Sequence, residues 1–240
     1  MNNNDILFQA LDWNCYDYEN DEGNKTFKGR IFGRTLDNKT VYVSVENFLP
    51  YFYVEIPKKW REYQVDIFVN SIKNIVDEEY KDSLVKHKVK NKHKFYGFTN
   101  NELFKFVKLS FDSQEAFYKY KQMLNWKIRI PALSVYKIKY VVYETNIPPL
   151  LRLIHYQSLD PSGWILIKGL KYKILNKEKS INDINIRTKW SSLNHYSSNQ
   201  ISKLNILSFD LECTSTDGGF PIPERPGDKI IQIGNTFHKF

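Results

Sequence analysis

The segment "LFKFVKLSFDSQEAFYKYKQML" (Leu103–Leu124) changes character midway. Its first half, "LFKFVKLSF", reads as a strand rich in aromatic and apolar residues. In its second half Ala116, Phe117, Tyr120 and Leu124 recur at helical spacing, which gives one apolar helix face. Asp112 or Ser113 suits the N-cap, and Glu115 stands three residues after Asp112. Working outward, "KFYGF" reads as a preceding strand joined through Thr99-Asn100-Asn101, and "VYKIKYVVYE" as a following one. Further upstream, Val65, Phe68, Val69, Ile72, Ile75, Val76 and Tyr80 mark another helix, and "PYFYVEIP" (Pro50–Pro57) a strand between prolines. The order strand, helix, two strands, helix, strand over Tyr51 to Glu144 predicts a split βαβ, ferredoxin-like unit of the kind shared by RNA-recognition modules (RRM-like). None of the aromatic signature motifs of those modules is present, so the order speaks for architecture only.

Before this unit, "FKGRIFGRTL" and "KTVYVSVENF" alternate apolar and polar positions around an Asp37-Asn38 turn. They predict a small barrel or an open antiparallel sheet. After it, Pro148-Pro149 precedes a short helix, "LLRLIHYQ", and "WILIKG" is a strand. Residues 176–203 are polar and read as a linker, with Ile186 and Trp190 as its docking anchors. The fold class expected is therefore α+β.

The chain has 240 residues, 42% hydrophobic and 15% aromatic, including 16 Tyr, 16 Phe and 5 Trp. That is enough apolar surface for one or two cores and favours strands. Net charge is +8 with 27 acidic residues, a mixed surface with basic patches that suits a polyanionic partner. Two distant cysteines, Cys15 and Cys213, form no metal-ligand spacing and fit a reducing, intracellular compartment. "MNNNDILFQALDW" lacks the pattern of a signal peptide, and no apolar run is long enough for a membrane helix.

Within "VKHKVKNKHK", Lys86, Lys88, Lys90, Lys92 and Lys94 take every second position, so an extended segment projects all five from one face. Two readings stand side by side: a stripe that tracks phosphates, and a solvated edge strand whose lysines discourage sheet-to-sheet pairing.

Near the end, "ILSFDLECTSTDGGF" (Ile206–Phe220) puts Ile206, Ser208, Asp210 and Glu212 on one strand face and Leu207, Phe209 and Leu211 on the other. Alternate Cα atoms of a strand lie ~6.6 Å apart, so the two carboxylates can converge on one or two divalent ions, magnesium or manganese by their oxygen chemistry. The triplet by itself is a weak signal and more often marks a sheet-end salt bridge or a solvated strand terminus.

The longer segment "ILSFDLECTSTDGGFPIPERPGDKIIQIGNTF" resembles the first exonuclease motif of the family B DNA polymerases, above all the delta-like branch. "RIFGRT", "FLPYFYVEIP", "KFYGF", "LFKFVKLSF" and "VYETNIPPLLRLIHYQSLDPSGWI" resemble segments of that family's N-terminal domain in the same order, most like polymerases of large DNA viruses. The resemblance implies an N-terminal domain over residues 1–200, with an OB-like part, the RRM-like part at about 51–144 and the linker 176–203. Residues 201–240 would begin a ribonuclease-H-like 3′→5′ proofreading domain. It implies that Asp210 touches both metal ions, that Glu212 chiefly holds the one that activates water, and that Thr214 and Ser215 shape the loop receiving the 3′ end. DNA template and primer, the remainder of a nucleotidyl-transferring polymerase and a processivity factor are the partners implied, at a site of replication such as a nucleus or viral factory.

The family's second and third exonuclease motifs and its palm motif are not in this sequence, so the chain by itself is expected to be inactive, residues 201–240 poorly stable alone and residues 1–200 marginally stable. Two other readings are a stand-alone single-stranded nucleic-acid-binding module, using a basic groove and aromatic stacking, and a non-catalytic remnant acting through protein contacts.

Overall fold

The computed structural model describes residues 4–175 and 181–239. In chain order it runs β1 (Ile6–Glu19), β2 (Lys25–Arg34), β3 (Thr40–Glu46), β4 (Tyr51–Glu55) and α1 (Glu62–Ile75). Then come β5 (Leu84–Lys92), β6 (Phe104–Phe111), α2 (Gln114–Leu124), β7 (Ile128–Ile130), β8 (Val135–Ile138) and β9 (Val142–Tyr143). The last elements are α3 (Pro149–Tyr156), β10 (Trp164–Ile167), β11 (Tyr172–Ile174), β12 (Ile184–Lys189), β13 (Asn194–Tyr196), β14 (Asn205–Cys213) and β15 (Ile230–Lys239). The fold is α+β with sheet predominating, as composition implies.

Two sheets carry the two cores. One is seven-stranded in the order β11-β12-β3-β2-β1-β10-β13, and the other four-stranded in the order β5-β6-β4-β9. On the second sheet alternation divides the side chains. Phe52, Val54, Val107, Leu109 and Phe111 face the helices, meeting Val65, Phe68, Val69 and Ile72 of α1 and Ala116, Phe117, Tyr120 and Leu124 of α2. Tyr51, Tyr53 and Phe106 face the opposite way and join the core of the first sheet, with Phe8, Ile31, Val43 and Leu153. Strands β4 and β6 thus belong to both cores.

The α2 N-cap is Ser113, whose hydroxyl accepts from Ala116 N at 3.2 Å. Asp17 of β1 adds both its carboxylate oxygens, accepting from Gln114 N and Glu115 N at 2.8 Å each. A carboxylate placed there complements the helix dipole. Glu115 is drawn away from any capping box: it accepts from Lys25 Nζ at 2.7 Å and from the Tyr80 hydroxyl at 2.6 Å.

Several segments differ from the pattern in the sequence. "KFYGF" is not a strand: the strand is β5, over the lysine-rich stretch, and Phe95, Tyr96 and Phe98 stand exposed in the turn around Gly97, whose φ is +83°. "VYKIKYVVYE" is not one strand. Lys137, at φ 54°, bends the chain, so that β8 pairs with β7, Tyr140 is buried under the helices, and only Val142–Tyr143 joins β4. The stretch read as a linker is largely folded. β12 pairs in parallel with β3 from Ile184↔Val41 to Lys189↔Glu46, and β13 pairs with β10. Its polar look is that of a strand with one buried face, where Ile186 is buried and Trp190 packs edge-on against Phe48; residues 176–180 lie outside the described residues.

Gly33 of β2 lies where β1 bulges between Ala10 and Asp12. A Cβ there would meet Gln9 O and Phe8 Cδ2 at 2.4 Å each, too close for any side chain. Gly33→Ala is therefore expected to destabilise the chain by about 1–3 kcal/mol, read as a lower urea midpoint at unchanged m-value.

Lys86, Lys88, Lys90 and Lys92 share the β5 face that lies opposite Ser110, Lys108, Phe106 and Phe104 of β6. Lys88 and Lys108 are directly opposite one another, a like-charge pair that opposes sheet formation. Burial pulls the Lys108 ammonium down to about 8, and Arg152, Lys90, Lys92 and Lys86 push in the same direction. Because an unfolded lysine titrates near ~10.4, the unfolded chain binds more protons than the folded one between those values. Lys108 thus weakens the fold fully below pH 8, and its penalty is relieved as pH rises toward ~10. Lys108→Met is expected to raise the urea midpoint at pH 7 and to lose that advantage by pH 10. An equal midpoint at pH 7 would contradict this account.

Candidate functional site

β14 and β15 form a two-stranded ribbon of their own. Its register, with Asp210↔Gly234, Glu212↔Gln232 and Leu211↔Ile233, sorts the side chains into two faces. Ser208, Asp210, Glu212, Gln232 and Thr236 make one polar face, while Leu207, Phe209, Leu211, Ile233 and Phe237 make an apolar face with every side chain exposed. Asp210 and Glu212 therefore stand side by side on the polar face, as alternation requires. No group of three or more His, Cys, Asp or Glu that could hold a metal occurs among the described residues. Two carboxylates on one face, opposite a glycine with open space above it, fit part of the oxygen-donor set of a divalent ion.

The loop between these strands has its own framework. The Asp228 carboxylate accepts from Thr216 N and Oγ1 at 2.9 Å and from Ile222 N at 3.0 Å. These bonds, led by the Ile222 amide, hold its carboxyl below the usual range. Asp217 is held low in the same manner by the Gly219 amide and Ser215, and Arg225 bridges both carboxylates. Thr214 Oγ1 accepts from Lys229 N at 3.0 Å and Ser215 Oγ donates to Asp217 at 3.0 Å, so both serve inside the loop. Asp217, Arg225 and Asp228 were not singled out by sequence reasoning; polar residues flanking Gly218-Gly219 and the prolines were the available signal.

A second constellation lies on the uncovered half of the four-stranded sheet. Lys86, Lys88, Lys90, Lys92 and Lys108 line a groove of about 630 Å³ whose opposite wall carries Tyr156 and Trp190. Lys94 does not belong to it. Beyond the end of β5 it turns away, pairs with Glu55 at 2.8 Å, lies 4.0 Å from the Phe104 ring, and lines a separate recess of about 710 Å³. The five-lysine stripe is thus four lysines plus Lys108, which its place in the mostly apolar strand β6 does not announce. Arg152 of α3, 9% exposed, sits behind the groove. It donates to Glu144 and places its guanidinium 4.6 Å from the Tyr51 ring, while Lys108 Nζ is 3.4 Å from the same ring.

Residues 140–240 match the family model described as DNA polymerase family B, exonuclease domain. The match begins well before β14 and takes in α3 and β10 to β13. Over 97% of its length the chain is 36% identical to a DNA polymerase of Acanthamoeba polyphaga mimivirus, and over 96% it is 32% identical to that of Pyramimonas orientalis virus. Over 98% it is 30% identical to the DNA polymerase delta catalytic subunit of Candida albicans. It spans only 14%, 19% and 21% of those relatives. The fold is shared with the family B DNA polymerase of the archaeon Pyrobaculum calidifontis, at a TM-score of 0.65 and 17% identity over 98% of this chain and 26% of that one. No helix among the described residues is long and apolar enough to cross a membrane. The chain aligns with the N-terminal exonuclease region of family B DNA polymerases.

Proposed function

We propose that this chain is the N-terminal region of a DNA-directed DNA polymerase that replicates DNA, and that it contributes the first metal-binding motif of a 3′→5′ proofreading exonuclease. One observation carries the reading: the alignment with viral DNA polymerases runs along nearly the whole chain, and Asp210 and Glu212 stand together inside the exonuclease-matched region. The order β5-β6-β4-β9, with α1 and α2 on one face, supports an RRM-like unit. The seven-stranded sheet supports the OB-like part, and the β14–β15 ribbon the first strands of a ribonuclease-H-like domain.

Asp210 and Glu212 would hold magnesium or manganese, with Asp210 shared between two ions and Glu212 beside the water-activating one. The metal, when bound, lowers the pKa of a water and stabilises the leaving 3′ oxygen. Ser208 and the open space above Gly234 leave the carboxylates accessible, and Thr214 and Ser215 brace the loop that would receive the 3′ end. The apolar face of the ribbon, with Phe209 66% exposed, is where the remainder of the exonuclease domain packs. DNA, that remainder and a processivity factor are the partners, at a site of replication.

In a polymerase carrying this chain as its N-terminal region, Asp210→Ala and Glu212→Ala are each expected to lower 3′→5′ excision by more than about a hundredfold, since even a supporting residue outside the ligand set is worth ~10–100-fold. Primer extension should persist. Unchanged excision in both variants would refute the assignment.

A further inference from the structure

We infer that the groove between β5–β6 and the Tyr156–Trp190 wall binds the sugar–phosphate backbone of a single nucleic-acid strand, with Lys108 as its central phosphate contact and the two aromatic rings as its base-stacking wall.

Three observations converge on an anion. The groove carries five lysines and no carboxylate in its lining. None of Lys86, Lys88, Lys90, Lys92 and Lys108 takes part in a salt bridge among the described residues, although thirteen such pairs occur elsewhere. Lys108, half-buried, is opposite Lys88 and shares the Tyr51 ring with Arg152, whose carboxylate partner, Glu144, does not line the groove. A fold that leaves such repulsion in place gains if an anion binds there, because each phosphate offsets the charges already assembled.

The arrangement decides which anion. Lysines on alternate residues of one strand repeat every ~6.6 Å along a line, which suits a linear polyanion; a discrete phosphate calls for donors that converge. Tyr156, 58% exposed, meets Trp190 edge-on at 5.3 Å, so a ring face remains open beside the ladder. Unstacked bases can use such a face, and those of a duplex, already stacked, cannot. The inference rests on the polymerase reading only for the source of the strand.

The test uses the 240-residue chain and a fluorescein-labelled oligo-dT, with anisotropy followed from low to moderate salt. The double variant Lys88→Gln/Lys108→Gln is expected to weaken binding about tenfold and to flatten log K against log salt by ~1.4, two phosphates at ~0.7 each. Tyr156→Ala should weaken binding several-fold with the slope unchanged. Lys171→Gln/Lys173→Gln, one lysine just before the edge strand β11 and one on it, should change neither. Equal losses in that control would reduce the groove to general surface charge and overturn the inference, as would an unchanged slope in Lys88→Gln/Lys108→Gln. Tighter binding of duplex than of oligo-dT would overturn the single-strand part. Circular dichroism of each variant excludes unfolding as the cause of a loss. The two assignments separate by readout: the groove is scored by oligo-dT affinity and salt slope in Lys88→Gln/Lys108→Gln, the exonuclease by excision in Asp210→Ala, so either can fail while the other stands.

Discussion

Two strands, β4 and β6, are asked to serve two cores at once. Phe52 and Val54 go to the helices while Tyr51 and Tyr53 go to the other sheet. On β6, Val107, Leu109 and Phe111 divide in the same way from Phe106. Such strands lack a polar face over much of their length, which is why "PYFYV" and "FKFV" read as nearly unbroken apolar runs. The arrangement ties the two halves of the described chain together: no slip of β4 by one residue is possible without placing both sets of side chains in the wrong core.

The second core covers only part of that sheet. Tyr51 marks the limit, with the Lys108 ammonium and the Arg152 guanidinium both against its ring. Beyond Tyr51 and toward β5 the same face carries lysine where it would otherwise carry Val or Ile. β5 is also an edge strand, and its lysines do guard an open edge from pairing with another sheet. That explanation suits Lys86, Lys88, Lys90 and Lys92 but not Lys108, which lies one strand inward. Edge protection and phosphate contact are thus both compatible with β5, and Lys108 is where they part.

What could be read from the sequence was what repeats along it. The α1 and α2 faces, the β2–β3 hairpin and the alternation of Asp210 and Glu212 all follow from local periodicity, and each is present in the structure. What could not be read depends on partners far away in sequence. The strand β12 looks like linker because half its residues are polar, and only its parallel pairing with β3, some 140 residues earlier, makes it part of a sheet. Asp17 gives no sign that it will cap α2. "KFYGF" has strand composition, yet Gly97 at positive φ and the register of β5 with β6 leave it as a turn.

The candidate metal site shows the same division in a sharper form. Alternation alone aims two acids from one face of β14, and no salt bridge among the described residues pairs them with a cation. Their neighbours in the loop behave differently: Asp217 and Asp228 are each enclosed by amides, hydroxyls and Arg225. Five acids lie within nineteen residues of chain, Asp210 to Asp228; Asp217 and Asp228 are consumed in holding the loop, while Asp210 and Glu212 are left facing outward on β14. A loop that fixes its own shape by internal hydrogen bonds needs no metal to order it. Asp210 and Glu212 can therefore be kept for a ligand whose remaining donors come from outside the ribbon. Uncompensated carboxylates at this spacing repel one another, and the ribbon tolerates them because both remain in water, where that repulsion is weak. Closure of the apolar face against a partner surface would bring the polar face nearer to low-dielectric surroundings and raise that repulsion. Burial and metal binding at this ribbon should consequently be coupled, each favouring the other.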